Sequence, residues 1–242
     1  VKCVKGCMLI HGFTGSPREI KPLADYFREH TEWKVYTPTL AGHGNEHSLE
    51  ETTWQDWIRS AEQALQTAVR ECDEVYLIGF SMGGLIAGHL SSRYPVSKLI
   101  LLSPAVYAPH TQQLVRELSG VAKGFFNEEA YARQSLQRYR KKWTSTPIKA
   151  VVNFRRLVRQ LKPSLKDIRV PLLIIHGEKD HVAHPKGAKY LYQCVQSSEK
   201  ELLLLKDSKH IVCHDCEREI LFEKVSQFLN ATTKEPMLEP EH

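Results

Sequence analysis

The sequence predicts an α/β fold, a mostly parallel sheet with helices on both faces. Three observations predict it. Six short segments are apolar on both faces, and helical periodicity separates them. That alternation breaks once, in a long stretch with no convincing strand. A Gly-x-Ser-x-Gly motif stands between one of the apolar segments and a helix.

In chain order, Gly6-Cys7-Met8-Leu9-Ile10 reads as a buried strand that ends at a His11-Gly12 loop. Pro17–Glu29 carries Ile20, Leu23, Ala24 and Phe27 at helical spacing, with Ser16 as N-cap and Pro17 at the first helical position. Val35-Tyr36-Thr37 is a second strand, followed by the turn cluster Gly42-His43-Gly44-Asn45. Thr53–Arg70 is a long amphipathic helix with Trp54, Trp57, Ile58, Ala61, Leu65 and Ala68 on one side. Val75–Ile78 is a third strand, and a helix runs from Met82 to Tyr94, before Pro95. Lys98–Leu102, Pro171–Ile175 and Glu201–Leu205 complete the sheet, and helices over Gly187–Val195 and Cys216–Leu229 flank the last strand.

Between Ala108 and Lys166 only helix-like stretches occur, at 114–121, 128–142 and 148–161. The expected organisation is therefore a core (1–103), a helical cap insertion (104–170), the rest of the core (171–230) and a loose polar tail (231–242).

At 242 residues the chain can bury roughly three quarters of its unfolded surface, so it needs no disulfide or metal to fold. Its 42% hydrophobic and 25% charged residues fit a globular domain rather than a fibrous or disordered chain. No apolar run approaches the ~20 residues of a membrane helix. Val1-Lys2-Cys3-Val4-Lys5 runs straight into a strand and does not read as a signal peptide, so a cytoplasmic location is expected.

The six cysteines form no dense framework and are expected to be free thiols. Cys213-His214-Asp215-Cys216 has C-x-x-C spacing but no second ligand pair, and reads as a loop entering the last helix. No metal or cofactor is expected. Between Pro104 and Val170 fourteen basic residues face four acids, a segment charge of 14 − 4 = +10 in a chain of +5. Such a block suits transient contact with an anionic lipid surface or an acidic substrate. It lies on amphipathic helices without a nucleic-acid recognition motif, so no nucleic-acid partner is expected.

The chemistry centres on Gly79-Phe80-Ser81-Met82-Gly83, followed by Gly84. A serine on so sharp a strand-to-helix turn needs glycine two positions to either side, where a Cβ would strike neighbouring backbone. The turn lifts Oγ beyond the sheet edge and puts backbone N–H groups at a helix N-terminus, where negative charge is favoured. A serine hydroxyl becomes nucleophilic when a base takes its proton, and the base should be a histidine held by a carboxylate. In this strand–Ser–helix context the chain order is Ser, acid, His. Asp180, in the loop after the fifth strand, is the candidate acid, with Glu178 as competitor. His210, directly after the sixth strand, is the candidate base among twelve histidines, of which His181, His184 and His214 lie nearby. Oxyanion donors are expected from the backbone N–H groups of Met82 and of Phe13, the latter in the His11-Gly12-Phe13-Thr14-Gly15 loop.

Leu9-Ile10-His11-Gly12-Phe13-Thr14-Gly15, Gly42-His43-Gly44, the Ser81 motif, Gly177-Glu178-Lys179-Asp180 and Ser208-Lys209-His210 together resemble the small bacterial carboxylesterases and monoacylglycerol lipases of the α/β-hydrolase superfamily. The resemblance covers nearly the whole chain. It implies the α/β-hydrolase fold with a small helical cap, Ser81, Asp180 and His210 as catalytic residues, and Phe13 and Met82 as oxyanion donors. One departure is Lys209, where such proteins usually carry glycine before the histidine; its longer side chain would change the loop or narrow the entrance.

The activity this implies is a serine carboxylic ester hydrolase that cleaves short- to medium-chain acyl esters through an acyl-enzyme at Ser81. Tyr107, Leu114, Phe125 and Phe126 are candidates for lining an acyl pocket. The alternatives are a monoacylglycerol lipase, a lysophospholipase or thioesterase that holds a phosphate on the basic cap, and a non-catalytic binding protein of the same fold.

Overall fold

The computed structural model describes residues 3–44, 48–107 and 147–231. Six parallel strands form one sheet: β1 (Lys5–Ile10), β2 (Lys34–Tyr36), β3 (Glu74–Phe80), β4 (Lys98–Leu102), β5 (Leu172–Gly177) and β6 (Lys200–Leu205). Their order is β2-β1-β3-β4-β5-β6. The chain steps outward from β1 to β2, then crosses back to place β3 on the other side of β1. The order reverses between β1 and β3, where open α/β sheets bind ligands beyond the strand ends.

Alternate residues of each strand enter opposite layers, which is why the strands read as apolar throughout. Met8, Ile10, Leu77, Leu99, Leu101, Leu172 and Ile174 pack on one face, together with α2 (Trp54–Glu71), α3 (Met82–Ser91), α4 (Ile148–Leu161) and α5 (Lys186–Cys194). Cys7, Leu9, Tyr76, Ile78, Ile100, Leu102, Leu173 and Ile175 pack on the other, with α1 (Lys21–His30) and α6 (Arg218–Asn230). Burial of these aliphatic side chains, worth about 1.5–3 kcal/mol each, is the main source of stability.

Several boundaries differ from the expected ones for local reasons. Ser16 caps a 3-10 turn, Pro17–Glu19, and α1 starts only at Lys21. Pro22 has no N–H to give a helix begun at Pro17, but it is tolerated in the first turn of a new one. Helix α2 starts at Trp54, with Thr53 and Asp56 satisfying each other in a capping box. Helix α3 ends at Ser91 rather than Tyr94, and single turns onto Leu90 O lead the chain to Pro95. Lys98 is buried, and its Nζ donates to the carbonyls of Phe228 (2.8 Å) and Ala231 (2.5 Å) at the C-terminus of α6. A cation there complements the helix dipole.

Of the expected cap, α4 and the 3-10 helix Lys162–Asp167 are described; the stretches 114–121 and 128–142 lie outside the described residues. So does nearly all of the expected tail. No described helix is long and apolar enough to cross a membrane. All six cysteines are free thiols, and no described cluster of His, Cys, Asp and Glu could hold a metal ion.

Candidate active site

Ser81 sits between the end of β3 and the first residue of α3 with φ 55° and ψ −116°. Few non-glycine residues adopt such a backbone, and its surroundings must hold it there. A Cβ on Gly79 would come within 2.3 Å of Gly83 O, and one on Gly83 within 2.4 Å of Ile10 O. Those contacts meet backbone, which cannot step aside, so the glycines on both sides of the serine are steric requirements. The non-glycine residues with positive φ among those described are Thr14, Ser81 and Ser103, each just past the C-terminal end of a strand.

Loops from the far side of the sheet reach over to the serine. Asp180 is 3% exposed, His210 5% and Ser81 7%. His210 Nδ1 lies 2.7 Å from Asp180 Oδ2, and His210 Nε2 lies 3.0 Å from Ser81 Oγ. Asp180 as a carboxylate only accepts, so Nδ1 carries the imidazole proton and Nε2 is free to accept from the serine hydroxyl. The three residues picked out in the sequence thus form one hydrogen-bonded chain.

Asp180 is held from several sides. Its Oδ1 accepts the backbone N–H groups of Val182 (2.8 Å) and Ala183 (2.9 Å). Its Oδ2 also lies 3.1 Å from Nε2 of His176, a fully buried residue near the end of β5. His176 Nε2 approaches the Ala183 carbonyl at 2.6 Å as well. Both neighbours are acceptors, so this nitrogen carries the proton. Burial opposes the charge on Asp180, but the charges and hydrogen bonds of His210 and His176 outweigh it and hold the carboxyl well below its ordinary range. Glu178, the competing acid, is exposed.

The His210 ring packs on Phe80 with centroids 5.0 Å apart. Lys209 points to solvent and its N–H donates to Asp215 Oδ2 (2.6 Å), so it leaves the pose of His210 intact. His181, His184 and His214 are exposed.

The loop after β1 forms the opposite wall. His11 is buried; its Nδ1–H donates to Gly12 O (2.8 Å) and its Nε2 accepts from Leu40 N–H (3.1 Å). Burial, helped by the neighbouring His43, lowers its pKa to about 3, so it stays a neutral structural link. The backbone N–H groups of Phe13 and Met82 make no hydrogen bond among the described residues, and α3 has no side-chain cap. The Phe13 ring stacks on Phe154 of α4, with centroids 4.8 Å apart and planes at 9°, and lies 5.6 Å from the Trp57 ring.

Among the acyl-pocket candidates, Tyr107 is exposed and lies under the ammonium of Lys162, 3.9 Å from its ring centroid. Leu114, Phe125 and Phe126 fall outside the described residues. Phe154, within the expected cap segment, is the aromatic that stacks on Phe13 in the loop after β1.

Glu19 is a second carboxyl beside the site. Its Oε2 accepts from Gly12 N–H at 2.9 Å. Burial pushes its pKa up to about 7, against the lowering pull of that N–H and of His210. Neither Glu19 nor His176 was marked by the sequence. The available signal for His176 was its spacing, four residues before Asp180 across a glycine turn; Glu19 had none, since an acid early in a helix is ordinary.

Comparison with known proteins agrees with this architecture. Residues 3–217 match the family model described as "Serine aminopeptidase, S33". The chain is 28% identical over 232 residues to a thermostable monoacylglycerol lipase from Bacillus sp. (strain H-257), covering 92% of this chain and 89% of that one. It is 21% identical over 227 residues to a carboxylesterase from Bacillus subtilis (strain 168), covering 93% and 92%. A solved structure of a metagenome-derived lipolytic enzyme, LipS or LipT, superposes with a TM-score of 0.76 at 25% identity, covering 95% and 94%. The chain belongs to the hydrolase family of that description, with the α/β-hydrolase fold, and is a serine hydrolase of the esterase and lipase kind.

Proposed function

We propose that the chain is a carboxylic ester hydrolase acting on short- to medium-chain acyl esters through an acyl-enzyme at Ser81. The observation that carries this reading is the continuous chain from Ser81 Oγ to His210 (3.0 Å) to Asp180 (2.7 Å). As Oγ attacks the ester carbonyl, His210 Nε2 takes its proton and Asp180 steadies the imidazolium. The negative oxygen of the tetrahedral intermediate is met by the Phe13 and Met82 N–H groups. His210 then gives the proton to the departing alkoxide. In the second half it takes a proton from water as that water attacks the acyl-enzyme, and returns the proton to Ser81 Oγ as the acid departs.

The Phe13, Phe154 and Trp57 rings are buried core that backs the loop after β1. The similarity to a monoacylglycerol lipase makes a glycerol monoester the first alternative; a lysophospholipase or thioesterase activity, the aminopeptidase activity of the family's description, and a purely binding role are the others.

A substrate panel read as kcat/KM separates them: p-nitrophenyl esters of graded length, monoacylglycerols, lysophospholipids, acyl-CoAs and aminoacyl p-nitroanilides. The expected maximum is on neutral esters of short to medium length. A maximum on a phosphate-bearing substrate that is lost at high salt, or on the anilides, would overturn the reading.

The exposed side of α4 supports, in addition, contact with an anionic lipid surface. Ile148 (78% exposed) and Val152 (41%) lie there beside Arg156 and Arg159. Residues 147–170 carry seven basic side chains and one acid. Binding to phosphatidylglycerol vesicles but not phosphatidylcholine vesicles, weakened by Arg156→Glu with Arg159→Glu, is the expected result; equal binding to both would remove this role.

A further inference from the structure

Between β1 and the Pro17–Glu19 turn the chain curls around a carboxyl group. Gly15 N–H donates to Gly12 O at 3.3 Å and closes a four-residue turn in which Thr14 has φ 60°. Phe13 lies inside that turn. From within its curve Glu19 Oε2 accepts the Gly12 N–H at 2.9 Å.

The fit leaves no slack. A Cβ on Gly15 would fall 2.1–2.3 Å from the Glu19 carboxyl atoms. A Cβ on Gly12 would lie 3.2 Å from Ser81 Cβ and 3.3 Å from Glu19 Oε2. Gly12 is thus clasped between the serine and the carboxyl.

A glutamate in a short surface turn ordinarily keeps its charge in water. Glu19 instead turns its carboxyl inward, near enough to His210 to feel its charge. Taking a carboxyl out of water is unfavourable unless its partners repay the loss. The partner here is the backbone of the loop expected to hold the oxyanion.

We infer that Glu19 is a positioning residue: by anchoring the Gly12 N–H it fixes the turn and, with it, the direction of the Phe13 N–H. The inference rests on the reading of Phe13 as an oxyanion donor. Such a donor accelerates the reaction only when it is already aimed, and a displacement of about 1 Å can cost as much as 10²-fold in rate. Phe13 N–H acts on the transition state more than on the bound ester, so the loss should fall on kcat.

Three variants test this. Glu19→Ala removes the acceptor, Glu19→Leu replaces it with apolar bulk, and Glu19→Gln keeps an oxygen for the Gly12 N–H. With p-nitrophenyl butyrate, kcat should fall roughly 10- to 100-fold in both the Ala and Leu variants, with KM within about threefold of the parent. Glu19→Gln should recover most of the rate. A Leu variant as fast as the parent would mean that the side chain only fills space. A Gln variant as slow as Ala, or a loss confined to KM, would also overturn the inference.

Amide hydrogen exchange over residues 11–20, with circular dichroism as a check on folding, supplies a reading independent of turnover. Faster exchange at Gly12 in the Ala and Leu variants, with protection kept in Gln, is expected; equal exchange in all four proteins would contradict the anchoring. If the parent neither turns over esters nor reacts with a fluorophosphonate, the ester hydrolase reading fails, while the exchange data still decide whether Glu19 holds the loop.

Discussion

The two halves of the site are built by different means. At the ends of β1 and β3 the backbone itself is the device: Thr14 and Ser81 have positive φ, and Gly79 and Gly83 permit approaches that a Cβ would forbid. In the loops after β5 and β6, described non-glycine residues show no positive φ, and side chains do the holding. Asp180 gathers four donors, and His210 lies between Asp180, Ser81 and the Phe80 ring. Ser81 is thus held by sterics that cannot relax, and Asp180 and His210 by hydrogen bonds that can be removed one at a time. Filling the space of Gly79 or Gly83 should destabilise the fold, and damage to the second half should slow the reaction while the protein stays folded.

The largest effects test the second half of that contrast. Asp180→Asn and His210→Ala should each lower kcat on p-nitrophenyl butyrate by about 10⁴-fold or more, with an unchanged circular dichroism spectrum. A loss below tenfold in His210→Ala would remove it as the base.

Next is a steric test of the first half. Gly83→Ala puts a methyl group 2.4 Å from Ile10 O and 2.5 Å from His11 O. It should cost about 2–3 kcal/mol of stability, read as a lowered Tm. An unchanged Tm would mean that the elbow is less rigid than the contrast requires.

A smaller effect is expected at His176. His176→Phe keeps a ring in the space but removes the donor to Asp180, and should lower kcat roughly tenfold with little change in KM. An unchanged kcat would show that the remaining donors suffice.

The last effect, one of pH, links the two halves. Glu19 has its pKa raised from 4.5 to about 7, with His210 and Cys213 as the titratable groups that interact with it. A carboxyl whose pKa is higher in the folded than in the unfolded state stabilises the fold at low pH and loses that contribution as pH rises. The stability of the parent relative to Glu19→Gln, read from thermal melts, should therefore fall between about pH 4.5 and pH 7 and level off above, by at most roughly 3.4 kcal/mol. A difference that does not vary with pH would show that Glu19 does not titrate in this window.

The same contrast explains what could be read from the sequence. A backbone device writes itself in glycines, so Gly79 and Gly83 around Ser81, between an apolar strand and a helix, mark the elbow in the sequence itself. The strands were legible because each buries both faces. Asp180 and His210 could be placed by their position after β5 and β6, but Glu178 stayed open until its exposure and the burial of Asp180 separated them.

Side-chain devices leave fainter traces. His176 ends an apolar strand and reads as part of it; only the turn of Gly177–Lys179 brings it back onto Asp180. Phe154 lies on a helix whose apolar stripe does not say which residue will meet Phe13. Glu19 was hidden by Pro22, which splits the expected Pro17–Glu29 helix and leaves Glu19 in a separate 3-10 turn facing the loop after β1.

The central claim is that His210 and Asp180 make Ser81 a nucleophile. Its most direct test is reaction with a fluorophosphonate, followed by peptide mass spectrometry of the parent, Ser81→Ala and His210→Ala proteins. A single adduct on Ser81 in the parent is expected, absent in Ser81→Ala and slowed by at least about 10³-fold in His210→Ala. An adduct on another residue, or labelling of Ser81 at the same rate without His210, would contradict it.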